Sequence, residues 1–167
     1  NTRALVTLSS EASETSEAIR GLRTHIMARH VRAGHRALAI CAASEGVGCS
    51  FVAANLAVSL SQIGVNTLLI DANMRNPSIA AMFGHKGNGA DIRAALSSEM
   101  DFDACIEAEI LPSLSVLFSQ ERAANAQELL AGNRFEALMH FCLREYAATI
   151  IDTPQATTCS DARRVST

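Results

Sequence analysis

Ala42-Ala43-Ser44-Glu45-Gly46-Val47-Gly48-Cys49-Ser50 is the stretch on which the reading of this chain turns. On its N-terminal side the apolar run at 36–41 predicts a buried strand. On its C-terminal side residues 50–63 predict a helix, ended by Gly64. A strand, a glycine-containing turn and a helix N-terminus together make an anion site, because free backbone N–H groups and the helix dipole point at whatever lies there. A strict phosphate-binding loop reads Gly-x-x-x-x-Gly-Lys-Ser/Thr. Here Ala43 stands at the first glycine and Cys49 at the lysine. Ser44, Glu45, Gly46, Val47, Gly48, Cys49, Ser50 and Phe51 are the candidate phosphate-binding residues.

Two further segments point to the same end of a sheet. Residues 66–70 form a near-continuous apolar run, as parallel strands buried on both faces do, and deliver Asp71. Ala148-Thr149-Ile150-Ile151 does the same for Asp152. Carboxylates at the C-terminal ends of parallel strands lie where open α/β sheets bind ligands. The intervening sequence predicts a short helix over 79–83, a glycine-rich loop at 84–89 and a helix from Ala90 to Leu96. Strands are predicted at 105–110 and 114–118, and a helix beginning at 127–130. Residues 133–146 carry the clearest helical period, with Phe135, Leu138, Met139, Cys142, Leu143 and Tyr146 on one stripe. Upstream, a helix starting near Ser13 to Ser16 buries Ile19, Leu22 and Ile26. Glu17, Arg20 and Arg23 recur beside that stripe and by pattern alone read as a solvated face with one local ion pair.

Composition narrows the class. A chain of 167 residues with 49% hydrophobic and 19% charged residues is expected to form one domain over 1–167 with one good core. No run approaches the roughly 18 apolar residues of a membrane span. The stretch before Ser9 lacks a signal-peptide layout, so the expectation is a cytosolic protein without direct membrane insertion. Net charge −3 and pI near 5.9 give no general attraction to nucleic acid. Of 14 basic residues only Lys86 is a lysine. Cys41, Cys49, Cys105, Cys142 and Cys159 show no metal spacing and are expected to be buried free thiols. His25, His30 and His35, five apart, do not share a helix face suited to a metal.

In combination these motifs resemble the bacterial tyrosine kinases of polysaccharide export, a branch of the P-loop ATPases related to MinD and ParA. Glu17-x-x-Arg20-x-x-Arg23 is similar to the family's oligomerisation motif. Ser44 to Ser50 with Val52-Ala53-Ala54-Asn55-Leu56-Ala57 stands at its Walker A loop, and Leu68-Leu69-Ile70-Asp71-Ala72-Asn73-Met74-Arg75-Asn76-Pro77 at its second acidic motif. Asn125-Ala126-Gln127-Glu128-Leu129-Leu130 matches an intervening segment, and Ile150-Ile151-Asp152-Thr153-Pro154 its Walker B. The resemblance implies a three-layer P-loop fold whose mostly parallel sheet is flanked by helices, with C-terminal strands of such a sheet missing after Thr167. It implies ATP or ADP and Mg²⁺ as cofactors. Ser50, Asp71 and Asp152 become metal-site residues, and Asp71, Asn73 and Asp152 catalytic ones. Glu17, Arg20 and Arg23 become homo-oligomer contacts. The implied partner is a membrane-anchored polysaccharide co-polymerase or chain-length determinant, which places the chain at the inner membrane only through that partner.

Departures from the family pattern shape the functional expectation. Phosphoryl transfer relies on positioning and on neutralising phosphate charge, so exchanging lysine for Cys49 should cost on the order of a hundredfold in rate. Asn73 stands where the family has a second acidic residue, and Tyr146 is the only tyrosine. The leading expectation is an autokinase-like domain with impaired catalysis. The alternative is an inactive pseudo-kinase scaffold. A MinD or ParA type ATPase is disfavoured, because those proteins carry a second lysine early in the loop and Ala42-Ala43-Ser44 has none.

Overall fold

The computed structural model describes residues 5–8, 13–41, 48–87 and 89–154. Four parallel strands form its centre: β1 (Ala37–Ile40), β2 (Thr67–Asp71), β4 (Leu114–Leu117) and β5 (Ala148–Asp152). The antiparallel β3 (Glu107–Leu111) closes one side, giving the order β1-β5-β2-β4-β3. Residues alternate in allegiance along each strand. Leu69, Val116 and Ile150 face one helical layer, while Leu68, Ile70, Leu117 and Ile151 face the other. The result is the three-layer α/β architecture expected from the apolar strand runs.

The first layer is α1 (Glu14–Arg29) over α2 (Cys49–Gln62). Ser13 and Ser16 cap α1 reciprocally at 3.1 Å each, which fixes its start within the predicted window. From Ala53 to Ser61 every residue of α2 is buried, since the helix lies between the sheet and α1. Its small residues, Ala53, Ala54, Ala57 and Ser59, permit that close approach. Gly64, at φ 81°, lets the chain turn immediately afterwards into β2.

The second layer holds α4 (Ile92–Ser97), α6 (Ala126–Ala131) and α7 (Asn133–Glu145), joined by the single-turn α5 (Phe102–Cys105). A further short helix, α3 (Ile79–Met82), follows β2. Asp91 ties this layer to the sheet. One carboxylate oxygen caps α4 at Arg93 N (3.0 Å) and Ala94 N (3.3 Å), and the other accepts from Gln120 N (3.1 Å) beyond β4.

Several expectations need correction. β1 is not a buried strand but a half-exposed one, because it pairs only with β5 and occupies the sheet edge among the described residues. Cys41, which follows it, is exposed rather than buried, whereas Cys105 and Cys142 are buried thiols; Cys159 lies outside the described residues. The strand predicted over 105–110 starts at Glu107, because Phe102–Cys105 close a helical turn first. Leu143 is 38% exposed and so leaves the buried stripe of α7. That helix ends at Glu145, with Tyr146 already extended.

Candidate functional site

The site lies at the C-terminal ends of β2 and β5 and the N-terminus of α2. Gly48 holds a left-handed conformation (φ 69°) and is the N-cap of α2. A glycine is required there by backbone geometry rather than by space, since nothing lies within 4 Å of an added Cβ. Among the described residues no side chain caps the helix, so its first N–H groups can face an anion. Ser44, Glu45, Gly46 and Val47 lie outside the described residues.

Cys49 opens α2 half-buried, and burial, with the Asp152 charge behind it, pushes its thiol up. It is therefore a neutral group at physiological pH. Ser50 donates its hydroxyl to Asp152 Oδ2 at 2.5 Å, the short distance of a charge-assisted bond. Phe51 is half-buried, and its carbonyl accepts from Asn55 Nδ2 at 2.9 Å, which makes it part of the helix's internal bonding.

Asp71 and Asp152 end adjacent parallel strands and are paired directly across the ladder. Both are buried, at 0% and 1% exposure. Asp71 accepts from Asn73 N (3.2 Å) and Ile79 N (3.3 Å), which bend the following loop around it. Burial, then the charge of Asp152, pushes its carboxyl up to about 7 despite those backbone donors. Burial pushes Asp152 up to about 6 against the bond from Ser50. Asp152 Oδ1 is buried with no hydrogen-bond partner among the described residues. Two carboxylates in one pocket, one with an orphaned oxygen and a hydroxyl alongside, form an oxygen set suited to a hard divalent cation. Among the described residues no group of three or more His, Cys, Asp or Glu could hold an ion alone. Such a set suits Mg²⁺, which takes few protein ligands and completes its shell with water and phosphate oxygens.

Asn73 is half-buried at the rim, and its carbonyl closes a turn with Asn76 N at 3.1 Å. Arg75 is exposed within that turn. Ala123 N bonds Met74 O at 2.9 Å, bringing the segment after β4 beside the loop after β2. The predicted assembly residues separate: Glu17 and Arg20 are exposed, but Arg23 folds onto α2, donating to Ser59 O (3.2 Å) and Ser59 Oγ (3.1 Å). No ion pair forms among the three. Tyr146 is half-buried, edge-on to Phe141.

The family model ParA, described as NUBPL iron-transfer P-loop NTPase, matches residues 34–127. The tyrosine-protein kinase YwqD of Bacillus subtilis is 30% identical over 96% of this chain and 68% of its own length. The tyrosine-protein kinase wzc of Salmonella typhi is 30% identical over 87% of this chain and 20% of its own length. The chain thus spans about two thirds of the former and about a fifth of the latter. The crystal structure of the chimerical protein CapA2B2 superposes with a TM-score of 0.84 and 31% identity, covering 98% of this chain and 71% of that one.

Proposed function

This chain belongs to the bacterial tyrosine-kinase family of P-loop NTPases, and from that premise we propose that it is a nucleotide-binding autokinase-like domain with impaired catalysis, serving exopolysaccharide or capsule synthesis. The observation that carries the reading is the cluster of half-buried Ser50 with buried Asp71 and Asp152 at the mouth of α2, with one Asp152 oxygen unpaired among the described residues. ATP or ADP binds with its phosphates against the first N–H groups of α2. Ser50 and Asp152 hold Mg²⁺ through hard oxygens. The ion supplies positive charge against the phosphate oxygens. Asp71, raised toward neutrality, is poised to take the proton of an attacking hydroxyl. Asn73 offers an amide oxygen in place of a second carboxylate.

Cys49 brings no charge to the phosphates, so binding outlasts catalysis. Replacing it tests this directly: Cys49→Lys should raise ATP-dependent phosphoryl transfer by about a hundredfold, read with radiolabelled ATP. A wild-type rate equal to that of Cys49→Lys contradicts impaired catalysis. A second reading, a pseudo-kinase scaffold, is favoured by the same cysteine, and predicts no transfer in either protein. In both readings the partner is a membrane-anchored polysaccharide co-polymerase, which brings the chain to the cytoplasmic face of the inner membrane. Homo-oligomer contacts fall to Glu17 and Arg20, the exposed members of their motif, while Arg23 serves α1 packing.

A further inference from the structure

The segment that follows Asp71 is fastened at its far end by His85. Ile79 opens α3 by donating its N–H to Asp71 Oδ2 at 3.3 Å. The helix is closed by the His85 N–H, which donates to Ala80 O at 2.9 Å, with Gly84 left-handed at φ 64°. The His85 ring then stacks on Phe118, just past β4, with centroids 4.2 Å apart and planes 8° from parallel. Phe83 meets the same Phe118 ring edge-on at 6.2 Å, and Gly87 packs against the Gln120 side chain. Phe118 is 1% exposed and so makes a fixed anchor. His85 Nε2 is buried with no hydrogen-bond partner among the described residues, yet it lies 3.8 Å from Oε1 of Glu107, which begins β3. Among the described residues no other carboxylate comes within 4 Å of the His85 ring nitrogens. Lys86, next in the chain, is exposed, and the rings on the α3 and β4 sides, Phe83 and Phe118, carry no charge.

We infer that His85 is a positioning residue for the Asp71 loop, and that a proton on its ring, held against Glu107, tightens its grip. The stack fixes the ring on the sheet whatever its charge. A neutral ring leaves a buried nitrogen unsatisfied, which is costly. Imidazole gains a proton between about pH 8 and pH 5, and the charged ring is then attracted both by Glu107 and by the face of Phe118. Glu107 is 41% exposed, so the gain is that of a solvent-screened pair. The grip passes along α3 to the Ile79 N–H and so to Asp71. The fastening rests on these contacts alone, and only its bearing on phosphoryl transfer rests on the nucleotide reading.

Hydrogen exchange of the Phe83, Gly84 and His85 amides tests this in the nucleotide-free protein, so its outcome is independent of whether ADP binds. Rates are corrected for the intrinsic effect of pH and referred to the sheet amides of Leu69 and Ile150, which also report that each variant is folded. Protection should be about threefold greater at pH 5.5 than at pH 8, and that difference should vanish in Glu107→Gln and in His85→Phe. His85→Phe keeps the stack and should match the wild type at pH 8, whereas His85→Ala should lose about fivefold in protection at both pH values. A pH difference that persists in Glu107→Gln would place its origin in other groups and overturn the role of the pair. Equal protection in His85→Ala and wild type would overturn the positioning role.

Discussion

Asp152 carries an unusual load for one residue. Its Oδ2 accepts from Ser50, its Oδ1 has no partner among the described residues, and Asp71 sits beside it on the neighbouring strand. In the metal-free protein this is an uncompensated buried charge, and such groups cost stability. Asp152→Asn retains an oxygen for the Ser50 hydroxyl and removes the charge. It should therefore stabilise the metal-free protein by about 1–2 kcal/mol at pH 8, read by chemical denaturation. Destabilisation by a similar amount would mean that Oδ1 already has a compensating partner. The positions of Asp71 and Asp152 were legible because an apolar run announces each strand and the carboxylate ends it. The fate of Arg23 was not, because its partner Ser59 lies 36 residues away and nothing in a local charge pattern reports a long-range contact.

Among the elements, α2 and α7 were legible from period and composition, and α1 from the helical spacing of Ile19, Leu22 and Ile26. β1 was misread, because an apolar run announces strand formation but not the strand's place in the sheet. Burial there depends on neighbours, and β1 has only β5. α4 shows what a single side chain contributes to an element. As N-cap, Asp91 starts it at Ile92, two residues later than predicted, and fastens the loop after β4 to it. Asp91→Ala removes the cap and leaves buried N–H groups unpaired, at a cost of roughly 2–3 kcal/mol in denaturant unfolding. Asp91→Asn, which keeps one acceptor, should lose less. No loss at all in Asp91→Asn would show that the second oxygen, on Gln120 N, contributes nothing.

For the whole molecule, the paired carboxylates set a pH dependence. Folding raises Asp71 and Asp152 from an ordinary value of 3.8 to about 7 and about 6. Between those limits the native chain binds more protons than the unfolded chain, so stability falls as pH rises through the folded values. The metal-free protein should melt roughly 5 °C higher at pH 5 than at pH 8, and the difference should shrink in Asp152→Asn. A melting temperature that rises across the same interval would contradict this.

The three-layer fold was legible because two-faced apolar strands demand helices on both sides. The two cores, one under α2 and one under α4 and α7, follow from the alternation along β2, β4 and β5.

The account stands most directly on calorimetric titration of ADP into the protein with and without Mg²⁺. It predicts saturable binding that weakens at least about tenfold when Mg²⁺ is removed and is lost in Asp152→Asn while that variant stays folded. Absence of binding, or binding indifferent to both Mg²⁺ and Asp152, would contradict it.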